Sequence, residues 1–271
     1  MSGRAVEVGP DGRTLWARQQ GSGPDVVLIA GIGDDHGVWD PVFDRLARGH
    51  RVTAFDNRGV GRSAIGAEQV RIAAMAADAL ALMGALGIER AHLVGSSMGG
   101  AIAQELALTA PEGVASLALV GTWGERDEHL SRAIRHIGRL LGTIEDPVEA
   151  FDAVALWAYS GQAHADGTVD RLLEAALASD SPEQSLEDFE RTTEALVEHD
   201  LGTRLEAIVA PTLVVVGSED RLCPPRLGTR LAELIPGSRL QVLPDRSHQP
   251  FQEDPDGFVD LVEDFWASGM Y

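Results

Sequence analysis

One cysteine stands in the whole chain, Cys223, so no disulfide can close within it and no cysteine-based zinc site can be built. Positive charge is scarce: 22 Lys+Arg residues face 42 acidic ones, a net charge of −20. Nucleic acids and anionic membranes, whose phosphates need the opposite sign, are therefore not expected as partners. The acidity reads as a solubility feature, and without a local basic patch it offers no attraction to anionic substrates. Long apolar runs are missing too. The best candidate, Ala67 to Ile88, is interrupted by Glu68, Arg71 and Asp78 and reads as a buried helix rather than a membrane span. The start, Met1-Ser2-Gly3-Arg4-Ala5, lacks the apolar core of a secretory signal, so the expectation is a soluble cytoplasmic protein. No group of His, Asp and Glu has metal-ligand spacing, and neither a metal nor a cofactor is expected. Repeats and low-complexity tracts are absent.

What is present is core. Hydrophobic residues make up 44% of the 271 positions, which supports a sizeable packed interior and argues against disorder. Near-continuous apolar runs, as expected for parallel strands buried on both faces, occur at Val26–Ala30, Arg51–Phe55, Ala91–Val94, Ala115–Val120, Thr212–Val216 and Arg239–Leu243. Helical patterns separate them at Pro41–Ala47, Glu68–Leu86, Met98–Thr109 and Arg226–Leu234, and a last helix covers Asp256–Trp266. An antiparallel ribbon, Ala5–Val8 with Thr14–Arg18, opens the chain around a turn at Gly9-Pro10-Asp11-Gly12. The expected fold is α/β, a doubly wound, mostly parallel eight-stranded sheet. From Trp123 to Leu205 the rhythm breaks: no good strand occurs, and helices are expected at Glu128–Leu141, Pro147–Tyr159, Val169–Ala178 and Pro182–Asp200. The chain thus divides into a core of residues 1–122 and 206–271 and a helical lid, 123–205, inserted between core strands.

The chemistry concentrates at Gly95-Ser96-Ser97-Met98-Gly99, between a strand and a helix. A serine flanked by glycines on a sharp strand-to-helix turn has its hydroxyl pushed outward, and the helix start aims N–H groups at an anion forming beside it. Serine is a poor nucleophile until a base takes its proton, and the base works best when a carboxylate fixes its tautomer. Two later strands run into loops carrying these groups: Val214–Val216 into Asp220, and Gln241–Leu243 into His248. The order Ser97, Asp220, His248 suits this architecture. Glu219 and Asp127 are the rivals for the acid. The N–H of Met98 and that of Ile32, on the loop after Val26–Ala30, are the candidate oxyanion donors. Gly31, His36, Trp39, Trp123, Trp157 and Tyr159 are the candidates to line a pocket for a small-molecule substrate. A faint imitation of a dinucleotide site, Gly31-Ile32-Gly33 with Gly37 and Asp56, has the wrong spacing.

This set resembles the α/β-hydrolase superfamily along nearly the whole chain. Besides the three loops, the likeness rests on Ala30-Gly31-Ile32-Gly33 followed by Trp39-Asp40, on Asp56-Asn57-Arg58-Gly59-Val60-Gly61-Arg62-Ser63, on Gly99-Gly100 and on Glu253-Asp254-Pro255. It is most similar to the enol-lactonase, esterase and cofactor-free haloperoxidase-like group. Ala30 departs from the histidine that such relatives usually carry there. The resemblance implies hydrolysis of a carboxylic ester or lactone through an acyl-enzyme. Alternatives stay open: a receptor or signalling use with little turnover, C–C bond hydrolysis, perhydrolysis, or non-hydrolytic catalysis. A homo-oligomer is compatible with the sequence, which does not fix the substrate.

Overall fold

The computed structural model describes residues 3–9 and 12–268; Pro10 and Asp11 of the expected first turn lie outside the described residues. Eight strands form one sheet: β1 (Arg4–Glu7), β2 (Thr14–Gly21), β3 (Asp25–Ile29), β4 (Arg51–Phe55), β5 (Ala91–Ser96), β6 (Val114–Val120), β7 (Thr212–Gly217) and β8 (Arg239–Leu243). Their spatial order is β1-β2-β4-β3-β5-β6-β7-β8. β2 runs antiparallel to both β1 and β4, and the six strands β3 to β8 are mutually parallel.

Eleven α-helices occur among the described residues: α1 (Asp40–Leu46), α2 (Ile72–Ala85), α3 (Met98–Thr109), α4 (Glu128–Leu141), α5 (Pro147–Ala158), α6 (Gly161–Ala165), α7 (Thr168–Ala178), α8 (Leu186–Glu198), α9 (Pro225–Leu234), α10 (Pro250–Glu253) and α11 (Pro255–Ala267). The central strands are apolar throughout because both sheet faces are covered. Their alternating side chains feed two cores. Val27, Ile29, Leu93, Leu117 and Leu119 join α2 and α3 on one face. Val26, Leu28, Val94, Ala118 and Val120 join α1 and α11 on the other.

Between β6 and β7 no strand occurs, and α4–α8 fill the interval. Two expected helices start late. α2 begins at Ile72 rather than Glu68, after an extended Arg71 that supplies no side-chain cap. α8 begins at Leu186 rather than Pro182, where the Ser185 hydroxyl accepts the Asp188 N–H and fixes the start. The short α6, capped by Ser160, was not expected.

Candidate active site

The loops at the carboxyl ends of β3, β5, β7 and β8 converge on one edge of the sheet, the edge where open parallel sheets place their ligands. After β5 the chain turns so tightly into α3 that Ser97 adopts φ 53°, ψ −119°. A non-glycine residue in such a conformation is strained by roughly 1–3 kcal/mol and must be held by its surroundings. Here the Ser97 N–H donates to Val120 O at 2.8 Å, and the Thr122 hydroxyl donates to Ser97 O at 2.7 Å. The flanking glycines are dictated by contact. A Cβ on Gly95 would meet Gly99 O at 2.4 Å, and one on Gly99 would meet Ile29 O at 2.0 Å. Met98 is the first residue of α3, so its N–H has no acceptor within the helix.

His248 and Asp220 meet across the neighbouring loops, with His248 Nδ1 2.8 Å from Asp220 Oδ2. The other carboxylate oxygen, Oδ1, accepts the N–H groups of Leu222 and Cys223 at 2.9 and 2.8 Å. Both side chains are buried. Burial alone would lower the His248 pKa. The charge and hydrogen bond of Asp220, joined by the charge of Asp34, outweigh it and leave the imidazole above its ordinary 6.5. The two rivals for the acid are engaged elsewhere. Glu219 accepts the Gly161 N–H at 2.9 Å. Asp127 caps α4 through the Leu130 N–H and pairs with Arg226. Burial pushes the Cys223 thiol up, which keeps it inert.

Ser97 and His248 share the wall of a cavity of about 600 Å³, together with Gly31, Ile32 and Tyr159. The rest of the wall is mainly aliphatic and comes from the inserted helices, with Leu130, Ile134, Ile137 and Leu141 of α4 lining one side. Four of the expected pocket residues are not brought to it, and these assignments are corrected. Trp39 is fully buried and stacks on Phe251 at 4.2 Å on the α1–α11 side of the sheet. Trp123 is buried in the opposite core, where its carbonyl accepts from Gln104. Trp157 packs on that core in a T-shaped contact with His136. His36 donates its N–H to Asp56 Oδ1 at 2.9 Å and sets Nδ1 2.6 Å from the same oxygen, a bond that raises its pKa. Large aromatic surfaces are what a core buries first, so aromaticity was a poor guide to the cavity.

Sequence reasoning missed Asp34 and Gln249, which line the cavity beside Ser97 and His248. Their positions, just past β3 and directly after His248, were the available signal. Among the described residues one titratable trio, Asp35, His36 and Asp56, brings its atoms within 4.8 Å of one another. It is spent on loop architecture. Asp35 accepts the Gly37 N–H, and Asp56 accepts the N–H groups of His36 and Arg62.

The insertion is fastened to the loops bearing Asp220 and His248 by a short seam around residues 156–161. The His248 N–H donates to Ala158 O, and the Arg221 guanidinium donates to Leu156 O. Ser160 Oγ donates to Glu253, Tyr159 OH donates to Gln252, and Gly161 N–H donates to Glu219.

The sequence profile of the alpha/beta hydrolase fold matches residues 24–255. The chain belongs to the alpha/beta hydrolase family. A protein of Azorhizobium caulinodans, provisionally named as a carbamate hydrolase, RutD, is 32% identical over 93% of this chain and 94% of its own. The pimeloyl-[acyl-carrier protein] methyl ester esterase of Aeromonas hydrophila is 33% identical over 90% and 96%. Among solved structures of alpha/beta hydrolases, the enol-lactonase of Burkholderia xenovorans superposes with a TM-score of 0.84 at 27% identity, covering 98% of this chain and 100% of that one. Est816, described as an N-acyl homoserine lactone degrading enzyme, does so with a TM-score of 0.82 at 27% identity, covering 97% and 100%. No helix among the described residues is long and apolar enough to cross a membrane.

Proposed function

We propose that this alpha/beta hydrolase cleaves an uncharged carboxylic ester or lactone through an acyl-enzyme on Ser97. The observation that carries the reading is the 2.8 Å pairing of His248 Nδ1 with Asp220, in a cavity wall that His248 shares with Ser97. With Nδ1–H donated to the carboxylate, Nε2 is left as the base for the Ser97 hydroxyl, and Asp220 stabilises the imidazolium that forms. The serine oxygen attacks the carbonyl, and the N–H groups of Met98 and Ile32 receive the oxyanion. Each such donor contributes on the order of 3–4 kcal/mol to the transition state. His248 then protonates the leaving alcohol and activates the water that releases the acid. The base must be neutral, and its pKa is raised, so turnover is lost as the pH falls through that raised value.

The wall supports this substrate class. Aliphatic side chains of α4 suit an apolar acyl chain, and no arginine or lysine lines the cavity to receive an anion. The esterase and lactonase names among the relatives support the bond type. Residues 123–205 serve as a cap over the core of 1–122 and 206–271.

A fluorophosphonate probe followed by peptide mapping tests the reading. Wild type is expected to be labelled at Ser97, and Ser97→Ala and His248→Ala each to abolish p-nitrophenyl ester turnover with an unchanged melt. Wild-type rates in either variant would refute it. A single burst of product with no further turnover would mark a receptor using the same site.

A further inference from the structure

The polar end of the cavity holds a carboxyl for which the Ser97–His248–Asp220 mechanism has no use. Asp34 stands three residues after Gly31 on the loop following β3 and lines the cavity with Ser97 and His248. A Cβ built on Gly31 would lie 3.0 Å from Asp34 Oδ2 and 3.4 Å from Ser97 Cβ, so this oxygen and the nucleophile flank the same backbone carbon. Gly31 also immediately precedes Ile32, the proposed oxyanion donor. The Gln249 amide donates to Asp34 Oδ2 at 3.1 Å. Gln249 is held in turn at the Tyr159 hydroxyl, 3.3 Å from its Oε1, and that hydroxyl donates to Gln252 Oε1 at 2.7 Å. The side-chain hydrogen-bond partner of this carboxyl is thus an uncharged amide, itself held by a phenol, rather than an arginine.

The charged groups facing it come from every neighbouring segment. His248 on the loop after β8 favours the anion, and Asp35 beside it disfavours it. Tyr159 at the end of α5 has its own ionisation pushed up by burial and by the charges of Asp34 and Glu253. Glu145 and Glu183 stand exposed along the cavity wall and add only negative charge. Burial, reinforced by the charge of Asp35, outweighs His248 and the Gln249 hydrogen bond and takes the Asp34 carboxyl up to about 7.

We propose that Asp34 is a substrate-binding residue that works as a neutral carboxylic acid, donating its proton to an oxygen acceptor beside the scissile carbonyl of an uncharged ester or lactone. The proposal rests on the ester-hydrolase reading and deepens it. In the ionised form Asp34 sets a negative charge next to the position where the oxyanion develops, and slows its formation. In the neutral form it supplies a hydrogen bond and no repulsion.

The test is the pH profile of kcat/KM for p-nitrophenyl hexanoate in wild type and Asp34→Asn. Asparagine keeps the acceptor for Gln249 and offers an N–H donor at every pH. The wild-type profile is expected to rise as His248 loses its proton and then to fall as Asp34 ionises, by about tenfold per pH unit once past that ionisation. In Asp34→Asn the fall disappears, so the variant-to-wild-type ratio climbs by the same factor. The rising limb stays where it is, because Asp34 is already uncharged over the range in which His248 loses its proton. A wild-type profile level above pH 7, or parallel profiles in the two proteins, would overturn the proposal. Should the variant not fold, infrared difference spectra of wild type decide: a protonated-carboxyl band titrating near 7 supports it, and absence of that band sinks it. Fluorophosphonate labelling of Ser97 is run alongside. Loss of labelling refutes the ester-hydrolase reading, whereas labelling with parallel profiles refutes the Asp34 proposal alone.

Discussion

Asp220 divides its two oxygens between one imidazole and two backbone N–H groups, and that division sets what a substitution does. In Asp220→Asn, one end of the side chain becomes a donor facing donors. Either the His248 tautomer reverses or two loop N–H groups lose their acceptor. Loss of kcat by about 10⁴-fold is expected when the tautomer is wrong, with p-nitrophenyl ester kinetics as the measurement; full activity would hand the acid role to another carboxylate. Its pairing with His248 was legible in the sequence, because it stands just past a strand in the expected chain order, ahead of a histidine in the same setting. The cavity wall was not. Trp39 and Trp123 attracted attention as large rings near the site, yet large rings are stabilised most by full burial, and both lie at or below 1% exposure. Asp34 escaped notice for a related reason. Its significance comes from Gln249, Tyr159 and His248 closing around it, and those residues are far away in the chain.

Strands and helices were legible to the degree that their ends carry local signals. β4, β8, α3 and α4 begin and end where their apolar patterns do, and α4 is further fixed by Asp127 at its N-cap. α2 and α8 start four residues later than their apolar patterns suggest, α2 after the extended Arg71 and α8 at the Ser185 cap. The apolar positions of α4 recur at helical spacing, which predicts a buried stripe but not what the stripe faces. In the structure Ile134 and Ile137 serve both the core and the cavity. Each methylene of a bound acyl chain buried against this wall contributes about 0.8 kcal/mol, roughly fourfold in kcat/KM. Rates on p-nitrophenyl esters are therefore expected to climb from acetate toward octanoate. Ile134→Trp fills the channel and is expected to cut the octanoate-to-acetate ratio tenfold or more. An unchanged ratio would place the acyl chain elsewhere.

For the molecule as a whole, the net charge of −20 is a term in stability that no single contact reveals. Its exposed pairs, such as Arg135–Glu194 and Arg230–Glu125, are screened by salt and contribute little. General self-repulsion outweighs them. Raising NaCl from about 10 to about 150 mM shortens the screening length from about 30 to about 8 Å. The melting temperature is expected to rise by a few degrees over that range, and a fall in a scanning calorimetry series would contradict this. The seam around residues 156–161 has a different consequence. It rivets the insertion to the very loop whose backbone presents His248, so swinging the helices off at this margin would carry the imidazole away from Asp220. Ingress is then expected away from this seam, where the cavity-lining Leu177 and Leu186 are 53% and 41% exposed. Substrate entry is expected to open one side of the doorway while the doorpost that carries His248 stays fastened.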